Sequence, residues 1–220
     1  GSAVMYGLKR GLYSNEAGIG SAPNAAASAD VSHPVKQGLV QMLSVYLDTW
    51  VICTATAIML LASGVAPDPE LAGAPYNIAA LTHNFGSLGQ HFLAFSIFLF
   101  GFTTLIGNYF YAEANLVYLL KGDVSKGVLT AFRTVAVLLI FIGAGLEFGV
   151  AWDTADVLMA AMALINIPAI FALQKPAIDC LNDYIKQKKA DKDPVFLASA
   201  IDLKDKTDFW QEEDITHTAE

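Results

Sequence analysis

All thirteen Lys and Arg residues of this chain fall on one side of four long apolar runs, and no other feature constrains its fold as much. The runs cover about residues 39–61, 92–120, 128–148 and 156–173. Even the last, about 18 residues at ~1.5 Å of helical rise each, reaches ~27 Å, close to the hydrocarbon thickness of a bilayer. Lys9, Arg10 and Lys36 precede the first run, and Lys121 and Lys126 follow the second. Lys175, Lys186, Lys188, Lys189, Lys192, Lys204 and Lys206 follow the fourth. Arg133 lies a few residues into the third run, within snorkelling reach of that same side. Segments 62–91 and 149–155 hold no Lys or Arg, only Asp68, Glu70 and Asp153. By the positive-inside rule those segments face outward and both chain ends are cytoplasmic. The expected class is an all-α integral membrane protein with four transmembrane helices.

Composition agrees where it bears on this. Apolar residues make up 55% and charged residues only 15%, against about a quarter charged in a soluble domain. The net charge of −8 arises largely in the hydrophilic tail, where acids alternate with Lys, so it reads as a solvated surface. Nothing resembles a nucleic-acid footprint. Cys53 falls in the first run and Cys180 in the cytoplasmic tail, which excludes a disulfide between them on compartment and distance. The chain opens Gly1-Ser2-Ala3 without an initiator Met, and the expectation is a piece of something longer.

Residues 1–38, rich in Gly, Ala and Ser, read as a cytoplasmic loop with one short helix near 25–29. The membrane region is 39–173. Within it, the outer segment 62–91 is broken by Pro67, Pro69, Gly73 and Pro75. Short surface helices are expected over 76–81 and 85–93, folding back as a cap. The second run is longer than a perpendicular crossing requires, so it must tilt, kink or project. Asp153-Thr154-Ala155-Asp156 reads as the N-cap of the fourth span. The chain leaves the membrane after Pro176, with a mixed-charge helix over 177–190 and a polar, disordered end; 174–220 is the cytoplasmic tail.

Polar groups inside the runs carry the functional signal. Thr104, Asn108, Tyr111 and Asn115, spaced 4, 3 and 4 apart, share one helix face, flanked by Thr103 and Glu113. Such a stripe must face protein or a water-filled cavity. Two readings stand: interhelical hydrogen bonding worth ~0.6 kcal/mol per group, or the lining of a path for a small polar solute or a monovalent cation. Neutral hydroxyl and carbonyl oxygens suit a hard, weakly held ion and suit zinc badly. In the first run Thr49, Cys53 and Thr56 share a face beside Asp48. That carboxylate is either a functional group or the partner of a cation such as Arg10 or Arg133. Asn166, two residues before Pro168, is expected to bond the carbonyls that the proline leaves free. Glu147, Asp153 and Asp156 read as outer-mouth and capping residues. His33, His83, His91 and His217 lie in loops and tail without metal-ligand spacing. No nucleophile elbow, phosphate loop or carboxylate pair points to an enzyme.

The stretch from Lys9 to Pro23, KRGLYSNEAGIGSAP, is long and contiguous. It is followed in order by His33-Pro34-Val35-Lys36-Gln37-Gly38, Asp48-Thr49 with Cys53-Thr54-Ala55-Thr56-Ala57, and Phe102-Thr103-Thr104 with Gly107-Asn108-Tyr109 and Tyr111-Ala112-Glu113. Together these resemble the alanine or glycine:cation symporter family, sodium-coupled amino-acid carriers of bacteria and archaea, over residues 1 to about 194. Family members are about twice as long.

The resemblance implies the inverted-repeat fold of leucine-transporter-like carriers, with this chain supplying the end of core helix 6 and helices 7–10. It implies sodium as coupling ion, alanine or glycine as substrate, no enzyme activity, the plasma membrane as location, and an N-terminal half of the same carrier as partner. Thr103 and Thr104 take the sodium position on core helix 8, Asn108 and Tyr111 the substrate cavity, and Asn15 and Glu16 a cytoplasmic gate. The two discontinuous helices that grip the amino acid are expected to lie mostly outside this chain. The competing expectation is a four-span protein that self-assembles as a channel or scaffold.

Overall fold

The computed structural model describes residues 1–211 apart from 17, 69–70, 72 and 204–206, and leaves the side chains of residues 12 and 13 undescribed. Pro69, Glu70, Lys204, Lys206, His217 and the end of the tail therefore lie outside the described residues. The described chain is helical: α1 (Ser2–Ser14), α2 (Ser21–Ala26), α3 (Pro34–Leu47), a π-helical turn (Asp48–Cys53), α4 (Thr54–Ala62), α5 (Ala74–Phe85), α6 (Ser87–Leu119), α7 (Lys126–Ala144), α8 (Phe148–Lys189) and a 3₁₀ turn (Ala198–Ile201).

Four stretches are long and apolar enough to cross a bilayer: Pro34–Ala62, Ser87–Leu119, Lys126–Ala144 and Phe148–Lys189. Their apolar side chains point outward. Trp50, Phe100 and Phe141 are each more than 70% exposed, whereas among the described residues the buried hydrophobic set is Ile19, Ala80, Leu81, Phe196 and Ala198. A water-soluble fold buries its aromatic residues; a surface more apolar than its interior is stable only in lipid. The expected multi-pass membrane class holds.

Several boundaries differ from expectation for local reasons. The two short helices expected in the outer segment are one helix, α5, followed by an early start of α6 at Ser87. Gly86, at φ 60° and ψ −148°, makes the corner between them. The two helices cross so closely at Gly89 that an added Cβ would lie 2.6 Å from the Leu81 carbonyl oxygen. The fourth span does not begin at Asp153. Gly145 caps α7, and α8 starts at Phe148, so Asp153 and Asp156 lie inside the helix. Nor does it end near Pro176: α8 runs through Pro168 and Pro176 to Lys189. Each proline removes one N–H donor, a loss that a long, otherwise intact helix absorbs.

The chain divides into two compact units, Gly1–Val45 with Trp152–Glu220, and Tyr46–Ala151. In the first, the segment after α8 folds back instead of trailing away. The Phe196 N–H donates to the Ser32 carbonyl at 2.9 Å, and Gln187 clamps Val195 through both its amide atoms. Phe196 is 2% exposed and Ala198 is fully buried. The second unit holds the α5–α6 corner and α7. There Arg133 donates to the Tyr109 hydroxyl at 2.9 Å and to Glu113 Oε1 at 3.2 Å.

Candidate functional site

The first 33 residues do not sit at one end of α8, as a loop would. Lys9 Nζ lies 2.8 Å from Asp156 Oδ2, and Arg10 stacks over Trp152 at 4.5 Å. Ten residues farther along α8, Asn166 Nδ2 donates to the Gly18 carbonyl at 3.1 Å. Farther still, Asp183 faces His33 at 3.4 Å. The segment therefore runs parallel to α8 over most of its length. Along the way it is discontinuous: α1 stops at Ser14 and α2 starts at Ser21. Between them Glu16, Gly18 and Gly20 adopt φ of 50°, 86° and 104°. A left-handed backbone of this kind ends a helix and leaves carbonyls without helical partners.

The break is braced from within and from α8. The Ile19 N–H donates to the Glu16 carbonyl, Asn24 Nδ2 to the Gly20 carbonyl, and the Ser21 hydroxyl to the Glu16 carboxylate. The Asn166 donor goes to Gly18, not to the carbonyls upstream of Pro168 that the sequence suggested. Asn15 and Glu16 thus belong to a helix break beside the middle of an apolar helix. The sequence showed the glycines here but offered no strand or helix pattern that would reveal the depth of the segment.

On α6 the polar stripe is present as spaced. Tyr109 and Glu113 turn toward α7, where Arg133 meets them. At 100° per residue, Thr104, Asn108, Tyr111 and Asn115 then fall on the opposite face. Thr103, Thr104 and Asn108 are exposed on this chain and Tyr111 is half-buried. The Thr103 hydroxyl donates to the Leu99 and Phe100 carbonyls, and Asn115 Nδ2 to the Tyr111 carbonyl. Two of these polar groups are therefore internally satisfied while the face as a whole is left to whatever packs there.

The first span holds a feature that spacing alone hid. The π turn at Asp48–Cys53 widens the helix, so residues five apart stack. Cys53 Sγ comes to 3.9 Å from Asp48 Oδ2, and the Thr54 hydroxyl donates to the Thr49 carbonyl at 3.2 Å. The expected Thr49–Cys53–Thr56 file rests on α-helical periodicity and is re-registered here. Of the cations considered as partners for Asp48, Arg10 meets Asp156 and Trp152, and Arg133 meets Glu113. An open depression of about 630 Å³, lined by Lys175, Asp179, Asp183, Lys186 and Asp202 among others, lies along the last turns of α8 and not at the break.

Helix breaks and polar files persist at membrane depth only where protein or water covers them. The chain is a multi-pass helical membrane protein, the class that includes secondary carriers. Comparison with known proteins makes this specific: the chain belongs to the sodium:alanine symporter family, whose profile matches residues 1–198. It is 45% identical to the probable sodium/glutamine symporter GlnT of Bacillus subtilis, over 96% of this chain and 43% of that protein. It is 42% identical to the amino-acid carrier protein AlsT of the same organism, over 97% of this chain and 45% of AlsT. Identity to the sodium/alanine symporter AgcS of Methanococcus maripaludis is 37%, over 79% of this chain and 38% of AgcS. The chain thus spans less than half the length of these relatives. No solved structure matches it.

Proposed function

We propose that this chain works as the C-terminal part of a sodium-coupled symporter that carries a small neutral amino acid, alanine or glycine, across the cell membrane. The observation that carries the proposal is the broken helix against the middle of α8, in a chain of this family. Backbone carbonyls and N–H groups that leave the helical ladder at such a break can serve as ligands for an amino acid's charged ends and for a cation. The parallel course of 1–33 and α8 supports five crossings, the first discontinuous. With Lys186, Lys188 and Lys189 ending α8 on the cytoplasmic side, α1 enters from the outside. On this reading the C-terminal end is cytoplasmic, whereas Gly1 lies toward the outer side, opposite to where the cation count puts it. Asn15 and Glu16 then belong to the binding region more than to a cytoplasmic gate.

The inverted-repeat, leucine-transporter-like arrangement gives the α6 stripe its role. Thr103 and Thr104 supply hydroxyl oxygens to sodium, with carbonyls from an N-terminal half completing the shell, and Asn108 and Tyr111 line the substrate cavity. Sodium and amino acid raise each other's affinity by the same factor, typically worth ~1–3 kcal/mol. The chain alone is then inactive, and a self-assembling channel is not favoured by its family.

The test is uptake of labelled alanine into proteoliposomes holding the complete carrier, driven by a sodium gradient, with glycine, D-alanine and glutamine as competitors. Glutamine is included because a relative at 45% identity bears it in its name. Thr104→Ala should raise the half-saturating sodium concentration. Unaltered sodium dependence removes the site, and absence of sodium-driven uptake of any of the four removes the function.

A further inference from the structure

We infer that Asn166 is a positioning residue for the helix break: its side-chain amide sets the direction of the Gly18 carbonyl, and so the shape of the site that an amino acid or cation meets. This rests on the symport reading above and names the α8 residue through which that site is held.

Asn166 touches the break twice. Its Nδ2 donates to the Gly18 carbonyl at 3.1 Å. Its side chain also lies against Gly20, where an added Cβ would sit 2.9 Å from Asn166 Cγ. The next residue, Ile167, closes on Gly18, with Cγ1 3.3 Å from the position of an added Cβ. Both glycines hold positive φ, so the backbone approaches α8 where no other residue type could. Gly18 has no helical partner for its carbonyl, and at this depth no bulk water replaces one. The Asn166 amide is the donor from α8 that fixes the direction of that carbonyl. Within the break the Ile19 N–H is taken by the Glu16 carbonyl. Pro168 sits two residues on, where α8 lacks one internal hydrogen bond.

Two substitutions test this in the complete carrier, with wild type measured alongside at every pH so that pH effects arising away from residue 166 are subtracted. Asn166→Leu removes the donor at all pH. Asn166→Asp keeps the shape but lacks the N–H; its carboxyl can donate to Gly18 only when protonated, and burial favours that form. Amide hydrogen exchange over residues 14–24, relative to wild type, should rise ~10-fold in the Leu variant at every pH. In the Asp variant it should rise at pH 8 and return toward wild type by pH 5.5, with α6 unchanged throughout. The half-saturating alanine concentration should follow the same pattern, ~10-fold raised and, for Asp alone, restored by acid. Exchange that matches wild type in both variants, or loss in the Asp variant that acid does not reverse, overturns the inference. So does altered exchange with unaltered half-saturation. The exchange experiment needs no transport, so a carrier without sodium-driven uptake would remove the functional reading while still deciding whether Asn166 holds the break.

Discussion

His33 is completely buried, and its Nε2 faces Asp183 Oδ2 at 3.4 Å from a helix 150 residues farther along the chain. The ring accepts the Val35 N–H at Nδ1 and stands edge-on to Tyr184 and Phe196. With Nδ1 accepting, the neutral ring carries its proton on Nε2 and donates it to Asp183. One imidazole thus joins the entry to α3, the end of α8 and the returning strap at Phe196.

Acid should loosen this junction. Burial lowers the pKa of His33, against the opposing pull of Asp183, with Lys36 adding to the lowering. A histidine depressed in the folded state binds fewer protons there than when unfolded, so its contribution is complete above the unfolded value near 6.5. It is lost as pH falls from there toward the folded value. Hydrogen exchange or proteolysis within 193–201 should therefore increase between pH 7.5 and 5.5, and His33→Gln should flatten that dependence. A His33→Gln protein with the same acid sensitivity would assign the effect to another group.

The Lys9–Asp156 pair predicts a charge-swap result. Asp156→Lys places three cations together beside Trp152 and should reduce the amount of correctly inserted protein severalfold. Combining it with Lys9→Asp should restore most of the yield, since the geometry at 2.8 Å works in either polarity. Lys9 is 54% exposed on this chain, so simple neutralisation is expected to cost little beside the charge reversal. Membrane yield of the single and double variants is the measurement.

Arg133 holds Tyr109 and Glu113 together across α6 and α7. The second Glu113 oxygen is buried without a partner, so Arg133→Ala leaves the carboxylate with neither bond and should cost about 1–3 kcal/mol. Arg133→Lys, which can replace only one of the two contacts, should fall between. Thermal unfolding in detergent separates the three proteins; equal midpoints would mean the contact contributes nothing.

Gly89→Ala should be the most damaging single methyl group in the cap. The added carbon would meet main-chain atoms at 2.6 and 2.8 Å, and no side-chain rotation relieves that. A loss of about 1–3 kcal/mol is expected, seen as faster amide exchange at Ala80 and Leu81.

Individual residues show where sequence reading succeeded and where it stopped. Phe98, Phe100 and Phe102 announce a lipid-facing helix because hydropathy is a sum over neighbours in the chain. The motif through Ser14-Asn15-Glu16 announces a family because it is contiguous. Asp156 looked like a cap and is an ion-pair partner of Lys9; Asn166 looked like a repair for Pro168 and is the brace of Gly18. Both misreadings assume that a polar group serves its own helix. In each case a distant segment offered the better partner, which no local pattern encodes. Thr49, Cys53 and Thr56 were placed on one face by α-helical counting with Asp48 beside them, and one π turn stacks Cys53 on Asp48 instead.

What the sequence determined by itself is the solvent of this protein and its relatives: runs of apolar residues long enough to cross a bilayer, and a signature shared with sodium:alanine symporters. The tertiary structure alone decided that residues 1–33 travel beside α8 and that their break lies at its middle. Partitioning into lipid depends on how many apolar residues follow one another, and that is written locally. Which carbonyl a buried amide satisfies depends on segments well over a hundred residues apart meeting at one depth, and only packing brings them together.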